Sequence, residues 1–251
     1  MNNVITMDII SYVVIFSTLV CAYIIFGIAG FGTALIASPF LVLFIPIAKV
    51  VPLLALMDLF AALANISRSG HNADRAELRR LVPVMILGSL IGAAILLTTR
   101  PEFLLPALGI FVTGYALYSL SGLKPERTFS PKAAIPLGTI GGIFSALFGS
   151  GGFIYAIYLS GRLSNKESMR ITQTTLIGLS TLTRVVLFAF AGVYTDAGLL
   201  WLALFLSPSM LIGVTVGRRI TLRMSREQFL KLINVIVLVS GAALIIRFLA
   251  T

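Results

Sequence analysis

Cysteine occurs once, at Cys21, and histidine once, at His71, in a chain of 251 residues. A single thiol excludes an internal disulfide and a cysteine metal cluster. One histidine supplies no ligand set for zinc or haem, so neither a cofactor nor a metal site is expected. Acid is also scarce, with nine Asp and Glu against 19 Lys and Arg and a net charge of +10. Such an excess can mark a nucleic-acid binder, but here the basic residues fall in short loops between apolar segments, where they set membrane orientation. Nucleic acid is therefore excluded as a partner. No Gly-x-x-x-x-Gly-Lys-Ser/Thr sequence is present, which excludes ATP hydrolysis by a P-loop. Residues 1–8 carry no Lys or Arg, so the basic region of a cleavable signal is missing and the first apolar run is expected to stay as a membrane helix.

What the chain has in abundance is apolar length. It is 58% hydrophobic and 11% charged, with a mean hydropathy of +1.04, outside the range of soluble domains and inside that of polytopic membrane proteins. Runs of spanning or near-spanning length cover 7–26, 50–66, 81–98, 103–120, 133–148, 171–191, 197–216 and 229–248, judged against the ~20 residues a membrane helix needs. Two shorter pieces, 33–47 and 154–159, each follow a glycine cluster, and the first contains Pro39 and Pro46, which break or kink helices. These could be short tilted helices or re-entrant arms. The expected fold is an all-α polytopic membrane protein with 8–10 membrane segments, including broken or re-entrant helices at the glycine motifs.

Charge assigns the sides. With the N-terminus outside, the inside loops hold Arg68, Arg75, Arg79, Arg80, Lys124, Arg127, Lys132, Arg162, Lys166, Arg170, Arg218, Arg219, Arg223, Arg226 and Lys231. Only Lys49, Arg100 and Arg247 fall outside, with Arg184 inside the membrane, so the positive-inside rule puts both termini outside. The halves also match each other. Gly27 pairs with Gly149, Gly30 with Gly152, Phe31 with Phe153, Gly70 with Gly192 and Asp74 with Asp196 at one constant shift, and Leu90-Ile91-Gly92 pairs with Leu211-Ile212-Gly213 one position off it. This is an internal duplication. The basic loop around Gly70 answers to an uncharged turn around Gly192, and the sparse loop at Arg100 answers to the basic loop after Gly217. The repeats are therefore expected to be inverted in the membrane. Membrane repeat 1 covers 1–121, an inside linker covers 122–132, and membrane repeat 2 covers 133–251.

Function is expected at the two glycine clusters, Gly27-Ile28-Ala29-Gly30-Phe31-Gly32 and Gly149-Ser150-Gly151-Gly152-Phe153. A backbone that stops being helical at membrane depth must be buried in protein or line a cavity, and paired interruptions point to a transporter's binding site. The half-helix that follows each cluster would aim N–H groups and the positive end of its dipole at an anion. Thr33, Ser38, Ser150 and Tyr155 add hydroxyls nearby. The plainer reading is that the glycines let membrane helices pack closely.

Arg184 is the costliest residue to place, at ~2.5 kcal/mol or more on insertion scales, so it should face a cavity or a partner. Spacing sets Gln173, Ile177, Ser180 and Arg184 on one helical stripe with Thr174 and Thr181 beside it. A guanidinium fork with hydroxyls and an amide suits an oxyanion. The other reading is an ion pair with Asp58, which by the repeat shift sits about one turn from Arg184 on the equivalent helix. Asp58 is the deep carboxylate, and Asn65 lies two turns along its face. Burial favours the protonated form, which would let Asp58 carry a proton, while a nearby Arg184 favours the carboxylate. His71, in an inside loop with Asn72 and Asp74, reads as a solvated loop residue.

The two glycine turns with the short apolar pieces that follow them, GIAGFGTALIASPFLVLF and GTIGGIFSALFGSGGFIYAIYLSGR, resemble the sulfite exporter TauE/SafE family, also called the toluene sulfonate uptake permeases. So does LTRVVLFAFAGVYTDAGLLWLALFLSPSMLIGVTVGRRI. The resemblance implies a bacterial or archaeal inner-membrane transporter of sulfite, sulfonates or other small organosulfur anions. It carries over Gly149, Gly151 and Gly152 as motif glycines, with Gly27, Gly30 and Gly32 as their counterparts. The sequence departs from the family pattern at Ala29, Tyr155 and Tyr158, which bears on the particular substrate.

The leading expectation is a secondary transporter of a small sulfur-containing anion, working by alternating access at a midplane site. The substrate-binding set is Gly27, Gly30, Phe31, Gly32, Thr33, Gly149, Ser150, Gly151, Gly152, Tyr155, Gln173, Ser180 and Arg184. An anion channel, or a carrier of another small carboxylate or oxyanion, is the alternative. An intramembrane hydrolase lacks a base for Ser150, and no enzyme activity is expected. The expected partners are the small anion and membrane lipids, with a homo-oligomer left open.

Overall fold

The computed structural model describes residues 9–29, 32–69, 73–121, 129–220 and position 238. Regular structure among them is helical throughout: α1 (Ile9–Ala29), α2 (Thr33–Leu41), α3 (Ile47–Ser69), α4 (Arg75–Thr98), α5 (Pro101–Leu120), α6 (Ala134–Phe148), α7 (Gly152–Ser160), α8 (Lys166–Phe190) and α9 (Ala197–Ile220). Short 3-10 turns at Pro131–Ala133 and Val193–Thr195 lead into α6 and α9. Ile10–Gly27, Arg75–Thr98, Pro131–Phe148, Ile171–Phe190 and Ala197–Gly217 are long and apolar enough to cross a membrane. The apolar run 229–248, the loop with His71, and the linker residues Lys124 and Arg127 lie outside the described residues.

Glycine ends the helices where the sequence places its breaks. Gly32, Gly149 and Gly192 have φ of 100, 69 and 74°, the left-handed region in which an L side chain is strained. Gly149 closes α6 in a Schellman-like cap, its N–H donating to the Ser145 carbonyl at 2.8 Å and that of Ser150 to Phe144 at 3.4 Å. The expected piece 33–47 divides. Helix α2 stops at Leu41, two residues after Pro39, and Pro46 stands just before α3, its carbonyl accepting from Lys49 and Val50. Proline at that position lacks only an N–H that a helix start leaves unbonded anyway.

Element order repeats. A long helix, a glycine break, a nine-residue helix and two long helices occur as α1 to α4 and again as α6 to α9, with α2 and α7 each nine residues long. Asp74 and Asp196, paired in the sequence, each stand immediately before a helix, α4 and α9. Asp74 caps α4, its Oδ1 accepting from the N–H groups of Ala76 at 2.9 Å and Glu77 at 3.0 Å.

The chain forms two compact units that interleave the sequence halves. One gathers Met1–Val50, Thr98–Lys124 and Gly198–Thr251, the other Val51–Leu97 and Pro125–Ala197. In the first, α9 packs along α1 through its glycines. A Cβ on Gly213 would stand 2.5 Å from the Tyr23 Cβ, and one on Gly217 2.2 Å from the Ile24 carbonyl oxygen. The Tyr12 hydroxyl donates to the Phe205 carbonyl at 2.9 Å, so low numbers meet low numbers and the helices run parallel. In the second, α4 lies along α6 in the same way. A Cβ on Gly88 would meet the Thr139 carbonyl oxygen at 2.1 Å, on Gly92 that of Ile143 at 2.5 Å, and on Gly142 that of Met85 at 2.2 Å. Backbones this close are what small residues permit between membrane helices. Large apolar side chains point outward, among them Trp201, Leu204, Phe205 and Leu211 on α9 and Ile86, Leu87 and Leu90 on α4, as a surface solvated by lipid requires.

Candidate functional site

In the second unit α6 and α7 form an antiparallel hairpin whose tip is Gly149 to Gly151. A Cβ on Gly151 would stand 2.1 Å from the Gly141 carbonyl oxygen and 2.8 Å from the Ser145 Cβ. A Cβ on Gly141 would fall 2.3 Å from the Tyr155 ring. Gly151 and Gly141 thus serve close packing, while Gly149 serves the turn. Helix α7 has nine residues, about 13 Å of length, less than half of the ~30 Å hydrocarbon layer. The two ends of the hairpin meet: the Phe129 N–H donates to the Gly161 carbonyl at 2.9 Å, and Arg162 Nη1 to the Phe129 carbonyl at 3.1 Å.

Helix α8 lines this hairpin with polar groups. Thr172, Gln173, Ser180, Thr181 and Arg184 are all buried, as their spacing on one side of a helix requires. Gln173 Nε2 reaches the Gly152 carbonyl at 3.5 Å, the limit for such a bond. The Ser180 and Ser145 hydroxyls are 2.7 Å apart. The Tyr155 hydroxyl, fully buried, sits by Ser180 and in the field of Arg184. It makes no well-formed hydrogen bond among the described residues. Arg184 is 2% exposed and its Nη2 donates to Thr181 Oγ1 at 3.0 Å. Asp58, on α3 and 4% exposed, places Oδ2 3.9 Å from that Nη2. The two charges attract, yet stand beyond hydrogen-bond distance. At the far end of α8, the Tyr194 hydroxyl donates to the Pro52 carbonyl at 3.0 Å. Burial pushes the Tyr194 phenol up, with the charge of Arg184 opposing.

The other expected residues fall as follows. Ser150 is buried and its hydroxyl donates to the Phe148 carbonyl at 3.2 Å, within the turn. In the first unit, Gly27 ends near the close approach of Gly217 to α1, at 3.1 Å from its hypothetical Cβ. Gly32 is the left-handed residue before α2, and Thr33 and Ser38 are buried on that helix. Gly30 and Phe31 lie outside the described residues, as does the side chain of Asn65 on α3.

A second buried polar cluster was not anticipated. Glu77, in the first turn of α4, is 3% exposed and accepts four hydrogen bonds. Its Oε1 takes Arg80 Nη1 at 2.6 Å, Arg162 Nε at 3.0 Å and Arg162 Nη2 at 2.9 Å, and its Oε2 takes the Tyr158 hydroxyl at 2.7 Å. These bonds hold the Arg162 guanidinium above the ordinary arginine range. In sequence, Glu77 sits among Arg75, Arg79 and Arg80, and nothing there singles it out except its spacing of three to Arg80. Nearby, the Asp74 N–H donates to Thr172 Oγ1 at 2.8 Å. Arg80, Phe129 and Arg162, from three segments assigned to the inside by charge, thus meet at one end of the unit.

Among the described residues no group of His, Cys, Asp and Glu is arranged to hold a metal ion. The site instead offers one buried guanidinium and several hydroxyls, a donor set for an oxyanion, with the Asp58 carboxylate as a counter-charge. A family model for the sulfite exporter TauE/SafE matches residues 15–244. The chain belongs to the sulfite exporter TauE/SafE family. The match takes in both glycine clusters, the α8 stripe and Glu77, so the whole framework described above lies inside the family's span. Membership, with helices long and apolar enough to cross a bilayer, makes this TauE/SafE chain an integral membrane protein of a transporter family. No curated protein and no solved structure gives a match.

Proposed function

We propose that this TauE/SafE protein carries a small sulfur-containing anion, such as sulfite or a sulfonate, across the cytoplasmic membrane of a bacterium or archaeon by alternating access. The observation that carries the reading is Arg184, a guanidinium 2% exposed and set beside the hydroxyls of Thr181, Ser180 and Tyr155. A permanent charge is retained at such cost within a membrane where it meets a substrate or an ion pathway. The planar fork matches two oxygens of a sulfo group, and the hydroxyls donate to the third. Asp58 balances the charge of Arg184 when the site is empty and yields to the anion when it is filled. The α6–α7 hairpin, which leaves and returns to the same loop cluster, is read as a re-entrant arm with its tip at the midplane. The duplicated element order is read as an inverted repeat. No step of enzyme chemistry is needed.

The test is thermal stabilisation of the purified protein by sulfite, sulfate, thiosulfate, taurine, sulfoacetate and acetate. A ligand at about 100 times its Kd adds about 2.7 kcal/mol to the folded state. The expected result is a rise in melting temperature with one or more sulfur anions, lost in a still-folded Arg184→Ala. An equal response in wild type and Arg184→Ala, or none to any sulfur anion, overturns the reading.

A further inference from the structure

Helix α7 carries two tyrosines three residues apart, so they lie on one side of the helix, one above the other. Both are fully buried in one apolar cluster with Leu81, Met85, Leu159 and Leu176. Their hydroxyls have different fates. That of Tyr158 is bonded to Glu77 at 2.7 Å, whereas that of Tyr155 makes no well-formed bond among the described residues and sits by Ser180. A phenol wholly removed from water keeps an unmet donor only at a cost. A ligand in the candidate site would meet it.

The position of that donor depends on α7, and α7 is a short element pinned at its ends. Its start is fixed where Gly151 lies on the backbone of Gly141, and the Tyr155 ring fills the slot that Gly141 leaves. Its other end is fixed by Glu77. The carboxylate grips the Tyr158 hydroxyl through Oε2 and Arg162, just past the helix, through Oε1. Arg162 in turn holds the Phe129 carbonyl, and the Phe129 ring stacks on Tyr158 with centroids 6.4 Å apart. Glu77 itself is fixed by the capped first turn of α4. With so few turns between the pins, a shift at Tyr158 passes directly to Tyr155.

We infer that Glu77 is a positioning residue for the anion site: through Tyr158 and Arg162 it holds α7 so that the Tyr155 hydroxyl is presented beside Ser180 and Arg184 to a bound oxyanion. This rests on the anion reading of that site. It gives the carboxylate at the loop end of the unit a role in the affinity of a site it does not touch. The ligand class is an oxyanion with an oxygen left over for a neutral donor, which a sulfo group has once Arg184 takes two.

Two measurements on the full chain in detergent or nanodiscs test it. Sulfite binding by titration calorimetry is compared for wild type, Glu77→Gln, Tyr158→Phe, Tyr155→Phe and the double variant Glu77→Gln/Tyr155→Phe. Hydrogen exchange by mass spectrometry follows the segment 152–160. Loss of one neutral hydrogen bond to the ligand weakens binding about fivefold. The expected result is faster exchange in 152–160 for Glu77→Gln and Tyr158→Phe. Binding should weaken by about that factor in each, with the double variant no weaker than Tyr155→Phe alone. Losses that multiply in the double variant overturn the inference, because Glu77 then acts elsewhere than through Tyr155. Unchanged exchange in 152–160 overturns it as well. Should Glu77→Gln fail to fold, Tyr158→Phe, which removes one bond and leaves both arginine pairs, carries the same comparison with its own double variant. If wild type binds no sulfur anion, the anion reading falls, and exchange in 152–160 alone decides whether Glu77 holds α7.

Discussion

Replacing Arg184 by methionine leaves Asp58 buried at 4% exposure with this cation removed. At their separation of 3.9 Å the pair attracts by about 4 kcal/mol at an effective dielectric constant of ~20. Removing one partner of such a pair costs about 3–5 kcal/mol, because the charge left behind stays desolvated. The converse variant, Asp58→Asn, leaves the guanidinium buried without this carboxylate and should cost a similar amount. The double variant Arg184→Met/Asp58→Leu removes both charges and should recover most of the loss. Melting in detergent micelles reads all three, at roughly 2–4 °C per kcal/mol for a chain of this size. The double variant should nonetheless show no sulfite-dependent shift. An Arg184→Met variant that melts like wild type, or a double variant as unstable as the worse single one, would refute the reasoning.

Two further outcomes test the framework. Gly142→Ala puts a Cβ 2.2 Å from the Met85 carbonyl oxygen and 2.9 Å from the Ser89 nitrogen, both backbone atoms of α4. It should cost about 1–3 kcal/mol, while Gly114→Ala, where nothing lies within 4 Å, should be neutral or stabilising by up to ~1 kcal/mol; equal melting of the two variants speaks against the seam. Asp74→Ala removes the acceptor for the N–H groups of Ala76 and Glu77 and should lower stability by about 1 kcal/mol, an effect that Asp74→Asn should largely spare.

The helices were legible because lipid makes a simple demand, long apolar runs interrupted only where the backbone is protected. All but the last residue of the run 171–191 falls within α8, which begins five residues earlier, and 197–216 starts with α9, which continues four residues further. The charge pattern was legible in the same way: Arg80, Arg162 and the linker were assigned to one side, and hydrogen bonds bring Arg80, Arg162 and Phe129 together. The individual duties of the glycines were not legible. Gly149 is needed for its φ and Gly151 for its lack of a Cβ, and a string of glycines looks the same for both. Gly141, which makes room for Tyr155, lies outside both of the clusters taken as functional. Glu77 was hidden for a different reason. Its burial comes from α7 and the loop after it folding over the first turn of α4, a tertiary event that a local run of charges does not encode.

The repeat sharpens the meaning of the pair at Arg184. Under the shift that aligns Gly27 with Gly149, Asp58 corresponds to Ser180 and Arg184 to Ala62, so α3 and α8 are equivalent helices in the two halves. Equivalent elements related by a two-fold axis approach each other only near that axis. Asp58 and Arg184, 3.9 Å apart on those helices, therefore mark the axis of the proposed inverted repeat. The matching contact on its other side would join Ala62 and Ser180, where no charge is present. Duplication alone would have given both contacts the same residues; here one has kept a charge pair and the other a small side chain and a hydroxyl. A symmetric framework that exchanges inside for outside leaves its axial region in place while the flanking elements move. In the proposed alternating-access cycle, holding the Arg184 guanidinium there would let an anion keep its main contact in both orientations, and the hydroxyl of Tyr155, on the α6–α7 hairpin, would be the contact that distinguishes them.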